Sequence, residues 1–169
     1  IRVPLVDPDD LAGSLAAQPE QPELLYESAL LAEKLGRHEA MEASLRKLIR
    51  LKPEHAHAYN ALGYSFAERN QRLEEAEQLV LKALQLSPDD PFIIDSMGWV
   101  LYRKGDNQGA LAHLQRAFSI RPDPEIAAHL GEVLWALGRR DEAKRIWQEA
   151  AKAHPGNEVL AEVIKRFAP

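Results

Sequence analysis

Cysteine is absent from this 169-residue chain, which excludes disulfides and thiolate metal sites and leaves both oxidising and reducing compartments open. Long apolar runs are missing too: nothing in the chain approaches the roughly 20 consecutive apolar residues that a membrane-spanning helix needs. From Val3 to Glu33 there is no Lys or Arg, while seven carboxylates fall in that stretch (Asp7, Asp9, Asp10, Glu20, Glu23, Glu27 and Glu33). With a formal net charge of −5, nucleic acid is excluded as an expected partner, because its phosphates require a basic stripe. No Gly-rich phosphate loop, nucleophile elbow or His-Glu-x-x-His segment occurs. The chain is therefore not expected to be an enzyme, nor to hold a cofactor or a metal. Because Ile1 stands where an initiator Met would, we expect a fragment or a processed product, with any signal peptide or lipid anchor outside it.

What is present favours helix. Apolar residues make up 46% and charged residues 28% of the chain, with straight-chain and small helix formers prominent, so an all-α protein is expected. Laid against itself, the sequence repeats. Pro53, Pro88, Pro122 and Pro155 are spaced by 35, 34 and 33 residues, and Leu62-Gly63, Met97-Gly98 and Leu130-Gly131 then share a column. Ala76, Ala110 and Ala143 form another, and Ala83, Ala117 and Ala150 a third. Two helices of a hairpin approach most closely at one crossing, and only Gly or Ala permits it, so these columns read as crossings. Leu62 with Val80, Met97 with Leu114, and Leu130 with Trp147 are expected to fill the space beside them.

The column Gly36, Asn70, Gly105, Gly138 is the expected turn between the helices of each hairpin, where the backbone needs positive φ, and Gln71 is the residue that stretches one spacing to 35. Asp90-Pro91 and Asp123-Pro124 read as helix starts, an Asp cap followed by Pro in the first turn.

These columns resemble the tetratricopeptide repeat (TPR) family, over about Pro22 to Pro155. The resemblance implies a right-handed all-α solenoid of four helix-turn-helix repeats and a C-terminal capping helix. We expect an extended arm and short helix over 1–21, a degenerate first repeat over 22–55, repeats over 56–90, 91–123 and 124–156, and the cap over 157–169. The first repeat departs from the pattern, with Ser28-Ala29 for Leu-Gly and Met41 for Ala. In the cap, Val159, Leu160, Val163, Ile164 and Phe167 are expected on one face.

Two local motifs carry no chemistry. Ser44-Leu45-Arg46-Lys47 matches the Ser-x-x-Lys of serine acyl enzymes, but the companion Ser-Asp-Asn and Lys-Thr-Gly are absent. His55 and His57 are two apart, a spacing that does not converge on a metal from a helix.

In TPR proteins the first helix of each hairpin lines a concave groove that binds a protein or peptide. In register, the resemblance assigns Tyr26, Asn60, Tyr64, Glu68, Asp95, Trp99, Tyr102, Arg103, Glu132 and Trp135 to that groove. Its aromatics suit peptide anchoring if they face solvent; the alternative is that Tyr64, Trp99 and Trp135 pack against neighbouring helices. Glu68, Asp95 and Glu132 make it mildly acidic, which favours a basic or neutral partner. A carboxylate clamp is not expected, since the clamp positions carry Asp95, Phe92, Ser96 and His129.

The segments Ala58–Tyr64, Asp95–Tyr102 and His129–Trp135 are similar to the C-terminal portion of proteobacterial outer-membrane TPR lipoproteins. That resemblance implies an adaptor facing the periplasm, whose partners are a carboxyl-terminal processing protease and cell-wall hydrolases. A structural self-assembly unit and a cytosolic TPR adaptor are the alternatives.

Overall fold

A computed structural model describes residues 21–169; the arm and short helix expected before residue 21 lie outside them. Among the described residues there are nine α-helices and no strand: α1 Pro22–Lys34, α2 His38–Leu51, α3 Ala56–Glu68, α4 Leu73–Leu86, α5 Pro91–Arg103, α6 Asn107–Ile120, α7 Pro124–Ala136, α8 Arg140–Ala153 and α9 Glu158–Phe167. Consecutive helices α1 to α8 pack as four hairpins, and α9 lies on α7 and α8. The expected all-α solenoid with a closing helix is the observed fold.

The turns follow from local hydrogen bonding. At the end of α1 the Arg37 amide donates to the Ala32 carbonyl and the Gly36 amide to that of Glu33, which satisfies carbonyls the helix would leave unpaired. That closure needs a left-handed residue, and Gly36, Asn70, Gly105 and Gly138 have φ of 71°, 53°, 93° and 82°. In the second hairpin the extra residue is absorbed by a second left-handed position, Arg72 at φ 47°. Asp90 accepts from the amides of Phe92 and Ile93, and Asp123 from that of Glu125, which fixes the starts of α5 and α7. His55 caps α3, its Nδ1 accepting from the Ala58 amide at 3.1 Å.

The crossings are as tight as the glycine column requires. A Cβ on Gly63 would lie 2.7 Å from Val80 Cγ2, and one on Gly98 2.7 Å from Leu114 Cγ. On Gly131 it would fall 2.0 Å from Trp147 Nε1, within the indole ring. Trp147 is fully buried there and donates to the Ala128 carbonyl at 3.3 Å.

Neighbouring hairpins are not stacked evenly. The first helices pack on one another, α3 on α5, α5 on α7 and α7 on α9, whereas second helices make no comparable contact among themselves. The stack is therefore tighter on the first-helix side, and that side is concave. Between α1 and α3 the contact is at most marginal, and a hollow opens. In α9, Leu160 and Val163 are buried and Ile164 and Phe167 partly so, but Val159 is exposed. At 100° per residue it stands at the edge of the apolar face, beyond the reach of α8 and facing the groove instead.

Candidate partner-binding groove

Four first helices carry the candidate residues: Tyr26 on α1; Asn60, Tyr64 and Glu68 on α3; Asp95, Trp99, Tyr102 and Arg103 on α5; Glu132 and Trp135 on α7. Most of them converge on two hollows that share Tyr64 and Glu125 and so form one groove. The first, of about 250 Å³, lies between α1 and α3 and includes Tyr26, Asn60, Tyr64 and Asp95. The second, also about 250 Å³, is walled by Tyr64, Glu68, Trp99, Arg103 and Glu132, together with Val159, Glu162 and Arg166 from α9.

Trp99 is the hub of the second hollow, and it is only 4% exposed. Its Nε1–H donates to Glu68 Oε2 at 2.9 Å. Its indole stacks on the His129 imidazole with centroids 4.1 Å apart and lies against Tyr102 at 5.1 Å. The Arg103 guanidinium covers it at 5.3 Å and donates to the carbonyls of Ala67 and Glu68, the last turn of α3. The Ala67 carbonyl also accepts from the Asn70 amide at 3.0 Å, and Arg103 ties two repeats together through this helix end. Of the two expectations for this ring, packing against neighbours is the one realised.

His129, on α7, joins the hub to α3 and α5. Its Nδ1 lies 2.9 and 3.1 Å from the Asp95 carboxylate oxygens, and its Nε2 lies 3.3 Å from the Tyr64 hydroxyl. Burial alone would lower the His129 pKa, but the Asp95 carboxylate, with Glu68 and Glu125 nearby, outweighs it and the net shift is upward. Burial raises the Tyr64 phenol, and the charges of Glu68, Asp95 and Glu125 raise it further. A His–Asp pair beside a hydroxyl is the beginning of a nucleophilic site, yet a phenol held in its neutral form is the reverse of an activated nucleophile. No cluster of three His, Cys, Asp or Glu suited to a metal occurs among the described residues.

The expected acidity of the groove is partly cancelled. Asp95, 5% exposed, is spent on His129, and Glu132, 8% exposed, is paired with Arg166. Tyr102 and Trp135 enter neither hollow. Tyr102 packs on Trp99 near Glu132, and its pKa is pushed up to about 12 by burial and by that carboxylate. Trp135 is turned towards α8 and α9, stacked 5.9 Å from Trp147 and tilted against Phe167 at 5.8 Å, beneath Arg140 at 4.8 Å. The capping helix supplies an aromatic wall on that side, and the ring follows it.

Reading groove positions one helix at a time misses Glu125, His129 as a paired base, and Arg166. A signal for two of them is in the spacing. Residues one period apart on successive first helices become neighbours, and Asp95 with His129, and Glu132 with Arg166, are each separated by 34.

Tetratricopeptide repeat models match residues 26–91 and 101–165, together most of the chain. The chain belongs to the tetratricopeptide repeat family. It is 49% identical over 118 residues to a TPR repeat-containing protein of Pseudomonas aeruginosa, a match covering 70% of this chain and 20% of that protein. The chain thus spans about a fifth of that relative. Its fold is similar to a thermophilic TPR protein of Thermus thermophilus, at TM-score 0.80 and 24% identity, over 95% of this chain and 87% of that one. It is also similar to YrrB, described as a TPR protein with an unusual peptide-binding site, at TM-score 0.65 and 21% identity, over 95% and 84% of the two chains. TPR proteins bind protein or peptide partners and are generally non-catalytic scaffolds. No helix among the described residues is long and apolar enough to cross a membrane.

Proposed function

We propose that this TPR stretch is the partner-binding part of a cell-envelope adaptor, and that its concave groove holds a segment of a periplasmic protease of the carboxyl-terminal processing class or of a cell-wall hydrolase. The observation that carries the groove assignment is the convergence of Tyr64, Glu68, Trp99, Arg103 and Glu132 on one hollow whose walls are already held by hydrogen bonds between repeats. A wall ordered before binding loses little side-chain freedom when a partner arrives. The adaptor role is supported by the sequence resemblance, and the Pseudomonas relative supports the TPR reading on which it rests. Outer-membrane anchoring and a periplasm-facing location belong to the same proposal.

The test uses exposed groove residues so that folding is spared. The chain and a Val159→Arg/Glu162→Lys variant are immobilised and challenged with Pseudomonas aeruginosa envelope extract. We expect the chain to retain a processing protease or a cell-wall hydrolase and the variant to lose it. Equal retention by both, or retention of neither enzyme class, would refute the proposal.

A further inference from the structure

The hollow between α1 and α3 is more specific than a general peptide groove. Its apolar walls include Leu30, Met41 and Leu45 with the rings of Tyr26 and Phe92. Its polar lining includes Glu33, Glu125 and the buried Asp95, and no Lys or Arg is among the described residues that line it. Asp95 is committed to His129, and Glu33 accepts from the Ser65 hydroxyl at 2.9 Å. Burial raises the Glu125 pKa; His129 opposes that shift, and Asp123, Asp95 and Glu68 add to it. Its carboxylate is thus short of positive charge. At the inner end the Asn60 side-chain oxygen is buried without a donor. Buried acceptors in folded proteins nearly always have a partner, so an orphan beside a cavity marks where an N–H is missing.

We propose that this hollow is a cation subsite, taking one arginine side chain of the protein segment bound in the groove. The inference rests on the groove reading above and names the chemistry of its partner. The aliphatic stem lies on the apolar walls, and the guanidinium donates to Asn60 Oδ1 and to the Glu125 carboxylate. The volume of about 250 Å³ is just under the ~300 Å³ at which drug-sized pockets begin, so it admits a side chain and not a helix. An apolar side chain would bury Asn60 and Glu125 without partners, and an acidic one would be repelled. Arginine fits better than lysine, because its planar fork reaches several acceptors at once and stacks on aromatic faces.

The chain is titrated with Nα-acetyl-argininamide, Nα-acetyl-leucinamide and Nα-acetyl-glutamic acid amide, with amide shifts followed by two-dimensional NMR. We expect the arginine probe to move Asn60, Ala61, Tyr64 and Glu125, binding about tenfold more tightly than the leucine probe and several-fold less tightly at about 0.3 M salt. Glu125→Gln and Asn60→Ala should each weaken it several-fold while leaving the thermal midpoint within a few degrees. Equal binding of the leucine probe, no shifts with arginine, or indifference to both substitutions would overturn the subsite. Retention of an envelope enzyme by a chain that ignores arginine would sink the subsite alone. Arginine seated in the hollow of a chain that retains no enzyme would sink the adaptor role alone.

Discussion

Truncating Trp99 to alanine separates an interior residue from an exposed binding anchor. The indole is 4% exposed and stacks on His129, and its N–H reaches Glu68 at 2.9 Å. Removing a buried aromatic of this kind costs about 3–5 kcal/mol. At about 2–4 °C per kcal/mol for a chain of this length, the thermal midpoint should fall by roughly 6–20 °C. Trp99→Phe keeps an apolar ring but removes the donor to the Glu68 carboxylate, an exposed residue that water can resolvate, at a cost of about 0.5–1.5 kcal/mol. In a Trp99→Phe/Glu68→Gln double variant the two losses should overlap and not add. Melting curves followed by circular dichroism measure all three. A Trp99→Ala midpoint within about 2 °C of the parent would refute the buried assignment and return the ring to the role of an exposed anchor. Any loss of partner binding by this variant must also be judged against its stability.

Further outcomes are fixed by other parts of the structure. Gly131→Ala places a methyl 2.0 Å from Trp147 Nε1; overpacking of about 1–3 kcal/mol outweighs the helix propensity gained, so the thermal midpoint should fall by several degrees, and it should partly recover on adding Trp147→Leu. For the His129–Asp95 pair, a raised histidine pKa means stability that is full below the unfolded value of about 6.5 and lost as pH rises through the folded value. His55 is shifted down by burial and contributes with the opposite sign. The informative quantity is therefore the stability of the parent minus that of Asp95→Asn, measured by urea unfolding between about pH 5.5 and 9, which should shrink as pH rises; a difference that grows with pH would contradict the pair. Spectrophotometric titration should find one tyrosine, Tyr102, ionising near pH 12, and Glu132→Gln should bring it down.

The fold was legible because its determinants are local and periodic. Gly63, Gly98 and Gly131 announce close crossings by what they lack, and the turn column announces positive φ by what it tolerates. The candidate groove was legible only as positions. Whether Trp99 stands in solvent or against His129 depends on what an adjacent repeat offers, and a helix read alone does not contain that information. Trp135 illustrates the limit. It occupies the groove column, yet Phe167 and Trp147 give its ring an aromatic surface on the other side, and burying the ring there wins.

Since the hydrogen bonds and ion pairs that hold the groove span two hairpins, the groove and the stack are one mechanical object. Trp99 reaches back to Glu68, Arg103 to the end of α3, His129 to Asp95 and Tyr64, and Arg166 to Glu132. The angle between neighbouring hairpins sets these distances, and the same bonds hold that angle in turn. A partner seated across α3, α5 and α7 would therefore bind a preset curvature, and its affinity would depend on cross-repeat bonds it never touches. The opening between α1 and α3 stands apart from this lattice. There the Ser65 hydroxyl bridges α3 to α1 by donating to Glu33 at 2.9 Å, so a ligand seated in the opening would add to a sparse connection between the first two repeats.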